Sequence, residues 1–589
     1  MFTERLESAA ERLRRAAGNS RLLALPSCEL AESELIGVRY GGFRRAVLRE
    51  EETGVFPQLF LLARAWLFSR RLRVCGAFLA VWAAVSVSVS SVGRPFDLWS
   101  LRFWTPIAVF FASLPLCGSE RSVANAMADD AITGWFFLRF CRFPRSLFEP
   151  TTQGGSISRA AYAGLVFGLL SGLTNPVWLP FALLLGAAVI LGFAVPELTL
   201  IPMALGFPFS GLLPHPSLFF CGAALWSVLC WIPKALNGHR EVHFTAMDGF
   251  VLLFSAVSAV GGMVNAGVSG GNGPLLSIDL LAAWFPVRTW LTSPLWRKRT
   301  VGCLLFSGSL CAGIGILQYA LGLGEAKWMD LSRFGTLGGR VTSTFSNPNL
   351  LAVFLLVLFG FSLGEVLGGR RICAASLTLS VGCLIVTWSR GAWLGALAAT
   401  AFFLLLHSRG SLAALMVSPL AVPAVFPWMP NGVRTRFASI GNLAETSSRY
   451  RVNTWKGVLR MIRAYPFGIG SGEENFHTVY PKFAVSGTES VMHAHNVFLQ
   501  IAAEHGLAAV AVFLAMIFLL FRRFLTTRTA NPAYFDRAAM LGCAAALVAL
   551  LTMGLFDHLW YMPNLFWLFW FVAALLWAHT ENAWADVRP

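Results

Sequence analysis

The chain has 589 residues, 56% hydrophobic and only 13% charged, with a mean hydropathy of +0.63. So little charge at this size excludes an ordinary soluble domain. The net charge of +16 reflects the loop bias of a membrane protein rather than a nucleic-acid surface, because no basic-aromatic module stands clear of the apolar runs. Repeated apolar runs of roughly 17–25 residues predict an all-α polytopic membrane protein with about 12–14 transmembrane helices and one large extracytoplasmic loop. No barrel alternation is present, and in lipid that leaves helices as the way to satisfy the backbone. The eleven cysteines are scattered without metal-ligand spacing and read as small buried hydrophobes.

Residues 1–73 form a basic head rich in Arg and Glu, placed in the cytoplasm or the membrane interface. Because its charges mix ahead of any apolar run, it is no cleavable signal peptide. Residues 74–299 are an N-terminal transmembrane region. It starts with a span at 74–92 and a shorter, re-entrant or interfacial piece at 103–117, and continues with five or six spans from about 160 to 291. Residues 300–428 are a transmembrane core. Its spans start inside at Arg297, Lys298 and Arg299, return to Arg370 and Arg371, return again to His407 and Arg409, and leave over 413–428. Residues 429–495 are the large loop, and 496–580 are C-terminal helices, the first running over 496–521 to Arg522 and Arg523. The short basic loops all fall on one side. The large loop is itself basic but long enough to escape that bias, and it lands outside, on the same face as Arg340, Asn347, Asn349, Arg390 and His495.

Arg390 sits at a tight turn where Gly391 lets the chain reverse. Its guanidinium either snorkels to lipid headgroups or grips a phosphate with its planar fork. In RYRVNTWKGVLRMIRAYP, Arg451, Trp455, Val458, Leu459 and Ile462 recur at helical spacing, which predicts an amphipathic helix ended by Pro466. Its cations, Arg449 among them, serve anionic headgroups or, for Arg451 near the helix start, a bound anion. His495 precedes an apolar helix whose N-terminal dipole disfavours an imidazolium. That suits a general base, and equally a structural hydrogen-bonder; His493 is a nearby decoy. Asn496, Gln500 and Glu504 recur at i, i+4, i+8 on one face of that helix, where buried polar groups face a cavity or a partner. Asn347 and Pro348 suit a helix cap and first turn, with Asn349 beside them.

Taken in order, TFSNPNLLA, SRGAW, R-x-x-x-W, YPFGIGSGEENF, YP and AHNVFLQIAAEHGL resemble the O-antigen ligase and O-antigen polymerase superfamily over roughly residues 300 to 520. Residues 1–150 carry none of these motifs. The resemblance implies a lipid-carrier-type glycosyltransferase fold in the cytoplasmic membrane, with its active face extracytoplasmic and no metal or other cofactor. Such a protein takes glycan from an undecaprenyl-pyrophosphate carrier and passes it to a hydroxyl of an acceptor glycan, lipid or protein, as a ligase or a polymerase. By motif position, Arg390 and Arg451 would hold the pyrophosphate and His495 would act as base. Arg340, Asn347, Asn349, Arg449, Asn496 and Glu504 are the candidates for substrate binding. Membrane lipids are the other expected partners, and nucleic acid is not one. The alternative is a secondary transporter of a small solute such as bicarbonate, which would need polar groups near the bilayer midplane and two related halves.

Overall fold

The computed structural model describes residues 64, 68, 70–92, 100–149, 155–212, 216–236, 245–260, 273–323, 339–345, 347–408, 410–411, 416, 427, 431–439, 446–528, 534–560 and 562–585. Nearly all of the expected basic head, and nearly all of the expected span at 413–428, lie outside the described residues. The described residues divide into two compact units, one ending at Leu198 and one starting at Thr199. Every described element is a helix or a turn, apart from one isolated bridge. Six described helices are long and apolar enough to cross a membrane, and a bent pair makes a possible seventh. Beside the expected 12–14 spans, five further stretches of apolar helix run for 10–17 described residues.

In the smaller unit, α1 (Leu72–Ser91) packs against α2 (Leu101–Cys117) and α3 (Ile157–Leu173). Gly164, Gly168 and Gly172 make the α1–α3 approach possible: a Cβ on Gly164 would stand 2.6 Å from the Phe78 carbonyl. Small residues at this spacing let apolar helices associate by close backbone packing in lipid. The following helix, α4 (Trp178–Ala194), is bent by 111° from α3.

The larger unit carries α5 (Pro216–Leu236), α6 (Ala246–Val260), α7 (Gly273–Trp290), α8 (Pro294–Ala320), α9 (Pro348–Leu367), α10 (Cys373–Val386) and α11 (Arg390–His407). These lead to the loop helices α12 (Asn431–Ala438), α13 (Thr446–Ala464) and α14 (Glu473–Val479). The chain then runs through α15 (Val497–His505), α16 (Leu507–Arg528), α17 (Tyr534–Gly554) and α18 (Pro563–Ala585). Most of α9 and α18 is buried, and both are apolar on all sides through their middle turns, as inner helices are. The expected single helix over 496–521 is corrected here. It is two helices, α15 and α16, parted at Gly506, whose φ of 87° is left-handed.

The crossing that places the site is between α17 and its neighbours α9 and α11. A Cβ on Gly360 would meet Ala546 Cβ at 2.7 Å, one on Gly364 would meet Gly542 Cα at 2.9 Å, and one on Gly395 would meet the Ala549 carbonyl at 2.7 Å. As residue number rises on α9 it falls on α17, so the two run antiparallel. The N-terminal ends of α9 and α11 therefore arrive beside the C-terminal end of α17. Asn347 caps α9 by accepting the Asn349 N–H at 2.7 Å, with Pro348 in the first turn, as its sequence predicts.

Candidate active site

The loop between α11 and α15 has a small core of its own. Val458, Met461 and Ile462 of α13 pack with Phe476, Tyr480 and Val491, so the amphipathic helix buries its apolar face in the loop. Leu459, expected on that face, is exposed. The YPFGIGSG and AEHGL segments clasp each other. Ile469 N–H donates to the Ala503 carbonyl and Gly470 N–H to the Glu504 carbonyl, each at 2.9 Å. Gly468 (φ 86°) and Gly506 (φ 87°) are required there, because a Cβ on Gly468 would stand 2.3 Å from the Glu504 carbonyl oxygen. The Glu504 carboxylate accepts from Gly472 N–H (3.1 Å) and Gln500 Nε2 (3.0 Å). Burial raises its carboxyl to about 7.

This clasp holds α15, and the residues just ahead of α15 enter a cavity of about 280 Å³. The cavity is lined by Arg340, Asn347, Asn349, Trp388, Arg390, Arg436, Tyr450, Arg451, His493, His495 and Asp557, among others. Arg390 opens α11 and donates through Nη1 to the Ser439 carbonyl (3.0 Å) and Oγ (3.1 Å). Arg340 donates to the Thr387 carbonyl and to Asn349 Oδ1, both at 2.7 Å. Burial, with the nearby Arg436 and Arg451 cations adding to it, pushes the Arg340 guanidinium down to about 9. Trp388 (φ 53°) and His495 (φ 48°) both hold left-handed backbone, costing on the order of 1–3 kcal/mol each, a strain that gathers at functional sites.

Asp557 collects these groups. Its Oδ1 faces His495 Nδ1 at 3.1 Å and accepts the His558 N–H at 2.9 Å. Its Oδ2 accepts Asn349 Nδ2 at 2.8 Å and lies 3.8 Å from Arg451 Nη2. Burial would raise the Asp557 carboxyl, but the bond from His495 and the nearby Arg451 cation hold it well below the usual carboxylate range. Burial also keeps the neighbouring rings neutral, pushing His493 well down and His558 to about 3. In the neutral tautomer that gives Nδ1–H to Asp557, His495 keeps a lone pair on Nε2. His493, His495 and Asp557 also offer three ligand atoms within 4.8 Å of one another, a group capable of holding a metal ion beside the Arg451 cation.

Six of the residues expected from sequence thus line one cavity: Arg340, Asn347, Asn349, Arg390, Arg451 and His495. Three do not. Arg449 is exposed on α13. Asn496 caps α15 by accepting the Leu499 N–H at 3.0 Å and donates to the Leu555 carbonyl. Glu504 is committed to the clasp. Asp557, Arg436 and Tyr450 were not anticipated. Asp557 carried a signal, as the one acid between Arg537 and Glu581 in an otherwise uncharged apolar stretch.

A polytopic helical membrane protein with a guanidinium-lined cavity at its helix ends is the class these features define. The family model described as O-antigen ligase matches residues 375–514. Over that stretch the chain is similar to the O-antigen ligase family, and the resemblance to that superfamily stands on this match as well as on its motifs. The matched stretch supplies Arg390, Arg436, Arg451 and His495, while Arg340, Asn349 and Asp557 come from outside it. No curated protein matches the chain. A function of the O-antigen ligase or polymerase kind, in polysaccharide biosynthesis at a membrane, is what the match supports.

The Glu504 clasp generates a pH prediction. A carboxyl raised in the folded state stabilises fully below its unfolded value near 4.3, and that contribution is lost as pH rises through about 7. The unfolding temperature of the purified protein should fall between pH 5 and 8, and Glu504→Gln should flatten that fall. Parallel curves for the two proteins would show that Glu504 does not titrate in the clasp.

Proposed function

We propose that the protein transfers or polymerises glycan from an undecaprenyl-pyrophosphate carrier onto an acceptor hydroxyl, with the cavity on the extracytoplasmic face of the cytoplasmic membrane. The observation that carries this is the charge balance of the cavity, where Arg340, Arg390, Arg436 and Arg451 surround a single carboxylate, Asp557. Guanidiniums held together in a half-buried cavity repel one another, and an anion of two or more charges relieves that repulsion. A diphosphate suits them because planar forks bind phosphate oxygens in pairs.

The chemistry then follows from position. His495 Nε2 takes the proton of the acceptor hydroxyl, whose oxygen forms a bond to the anomeric carbon of the donor glycan. The bond from that carbon to the carrier phosphate breaks, and its electron pair leaves on the diphosphate, where Arg390 and Arg451 stabilise the developing charge. Asp557 fixes the His495 tautomer and stabilises the imidazolium formed. Arg340, bonded to Thr387 and Asn349, and Asn349, bonded to Asp557, hold the frame in register.

Because the guanidiniums supply the charge stabilisation, transfer by the purified protein from undecaprenyl-pyrophosphate-linked glycan should proceed in EDTA. Arg390→Lys should lose activity by on the order of a hundredfold, since a point charge replaces a fork. Transfer abolished by EDTA and restored by a divalent ion would instead assign His493, His495 and Asp557 to a metal. For the face, Ser490→Cys in a Cys-depleted background is exposed on the loop and should label in intact cells with an impermeant thiol reagent. Labelling only after permeabilisation would invert the topology.

A further inference from the structure

The larger unit has a second cavity of about 280 Å³, at the opposite end of α9 from the first. The twenty residues of α9 rise about 30 Å, so the two cavities lie roughly a bilayer core apart. Four helices wall it: the first turns of α8 and α17 and the last turns of α9 and α18. Arg297 and Lys298 come from α8, Glu365 and Arg370 from the end of α9 and the turn after it, and His579 from α18. Arg370 Nη1 pairs with Glu365 Oε2 at 2.9 Å, so three cations share one carboxylate. Arg297 and His579 are buried, while Lys298 is exposed, which places charge both in the depth of the cavity and at its mouth. The remaining wall is apolar, with Val301, Phe361 and Ala539 along it.

The proposed transfer uses none of these residues. A cationic recess with an apolar wall, opening between helix ends, has the shape and polarity for a phosphate carried on a hydrocarbon body; basic pockets between transmembrane helices take anionic headgroups in this way. We propose that this second cavity binds a phosphate group, presented as the headgroup of an anionic membrane lipid. Its floor includes Gly364, where α9 and α17 make the close contact that also sets Asp557 at the far end of α17. A ligand here bridges α8 to the α9–α17 crossing and stabilises it.

The test uses purified full-length protein in mild detergent, titrated with phosphatidylglycerol, phosphatidylcholine or inorganic phosphate, reading the unfolding temperature and, by native mass spectrometry, bound lipid. Phosphatidylglycerol should raise the unfolding temperature at concentrations where phosphatidylcholine does not. In Lys298→Glu the half-saturating concentration should rise about tenfold, and in Lys298→Arg it should stay near wild type. The dependence on Lys298 separates this cavity from the first, which is also cationic. Inorganic phosphate saturating with the same dependence would support the phosphate site and make its source soluble. Wild type and Lys298→Glu titrating alike with both phosphates would overturn the proposal.

Discussion

The carboxylate of Asp557 is where the larger unit is tied together. It sits just beyond α17, yet its partners come from the start of α9 (Asn349), from α13 (Arg451) and from the backbone turn ahead of α15 (His495). A single acid among four guanidiniums can neutralise only part of their charge. It therefore fixes the geometry of the cavity and leaves it electropositive. Removing the carboxylate would leave His495 without the acceptor that sets its tautomer, and Arg451 without its nearby anion.

That carboxylate can be in place only because apolar packing puts it there. Gly360, Gly364 and Gly395 let α17 approach α9 and α11 to backbone contact, which aligns three helix ends. In lipid, where apolar side chains gain little from meeting each other, such close approach is the chief means of fixing helix register. The same crossing separates the two cationic cavities, one at each end of α9. The polar groups of the first cavity come from helix ends and a loop rather than from the middle of the spans.

The helical class was legible because long apolar runs have one solution in lipid, and the six residues of the cavity were legible because they stand beside turns and caps. Asn347, Pro348 and Arg390 announce helix starts by local chemistry. Asp557 was not legible as a partner of His495: they lie 62 residues apart, and only the packing of α17 brings them together. Glu504 was legible as a buried polar group but not in its role. The helix carrying it was read as a continuous span, whereas Gly506 breaks it and Glu504 turns to the GIGSG loop, where it accepts the Gly472 N–H. Arg449 lies outside the cavity for a simpler reason. It is two residues from Arg451 on the same helix, and such neighbours point to different faces.

The central claim is a division of labour, with arginines holding the diphosphate and the His495–Asp557 pair moving the proton. The direct measurement is binding of undecaprenyl pyrophosphate by wild type, His495→Ala and Arg451→Ala, with transfer assayed on the same preparations. His495→Ala should bind the carrier as wild type does but transfer nothing, and Arg451→Ala should lose binding. A His495→Ala protein that transfers normally, or an Arg451→Ala protein with full affinity for the carrier, would contradict it.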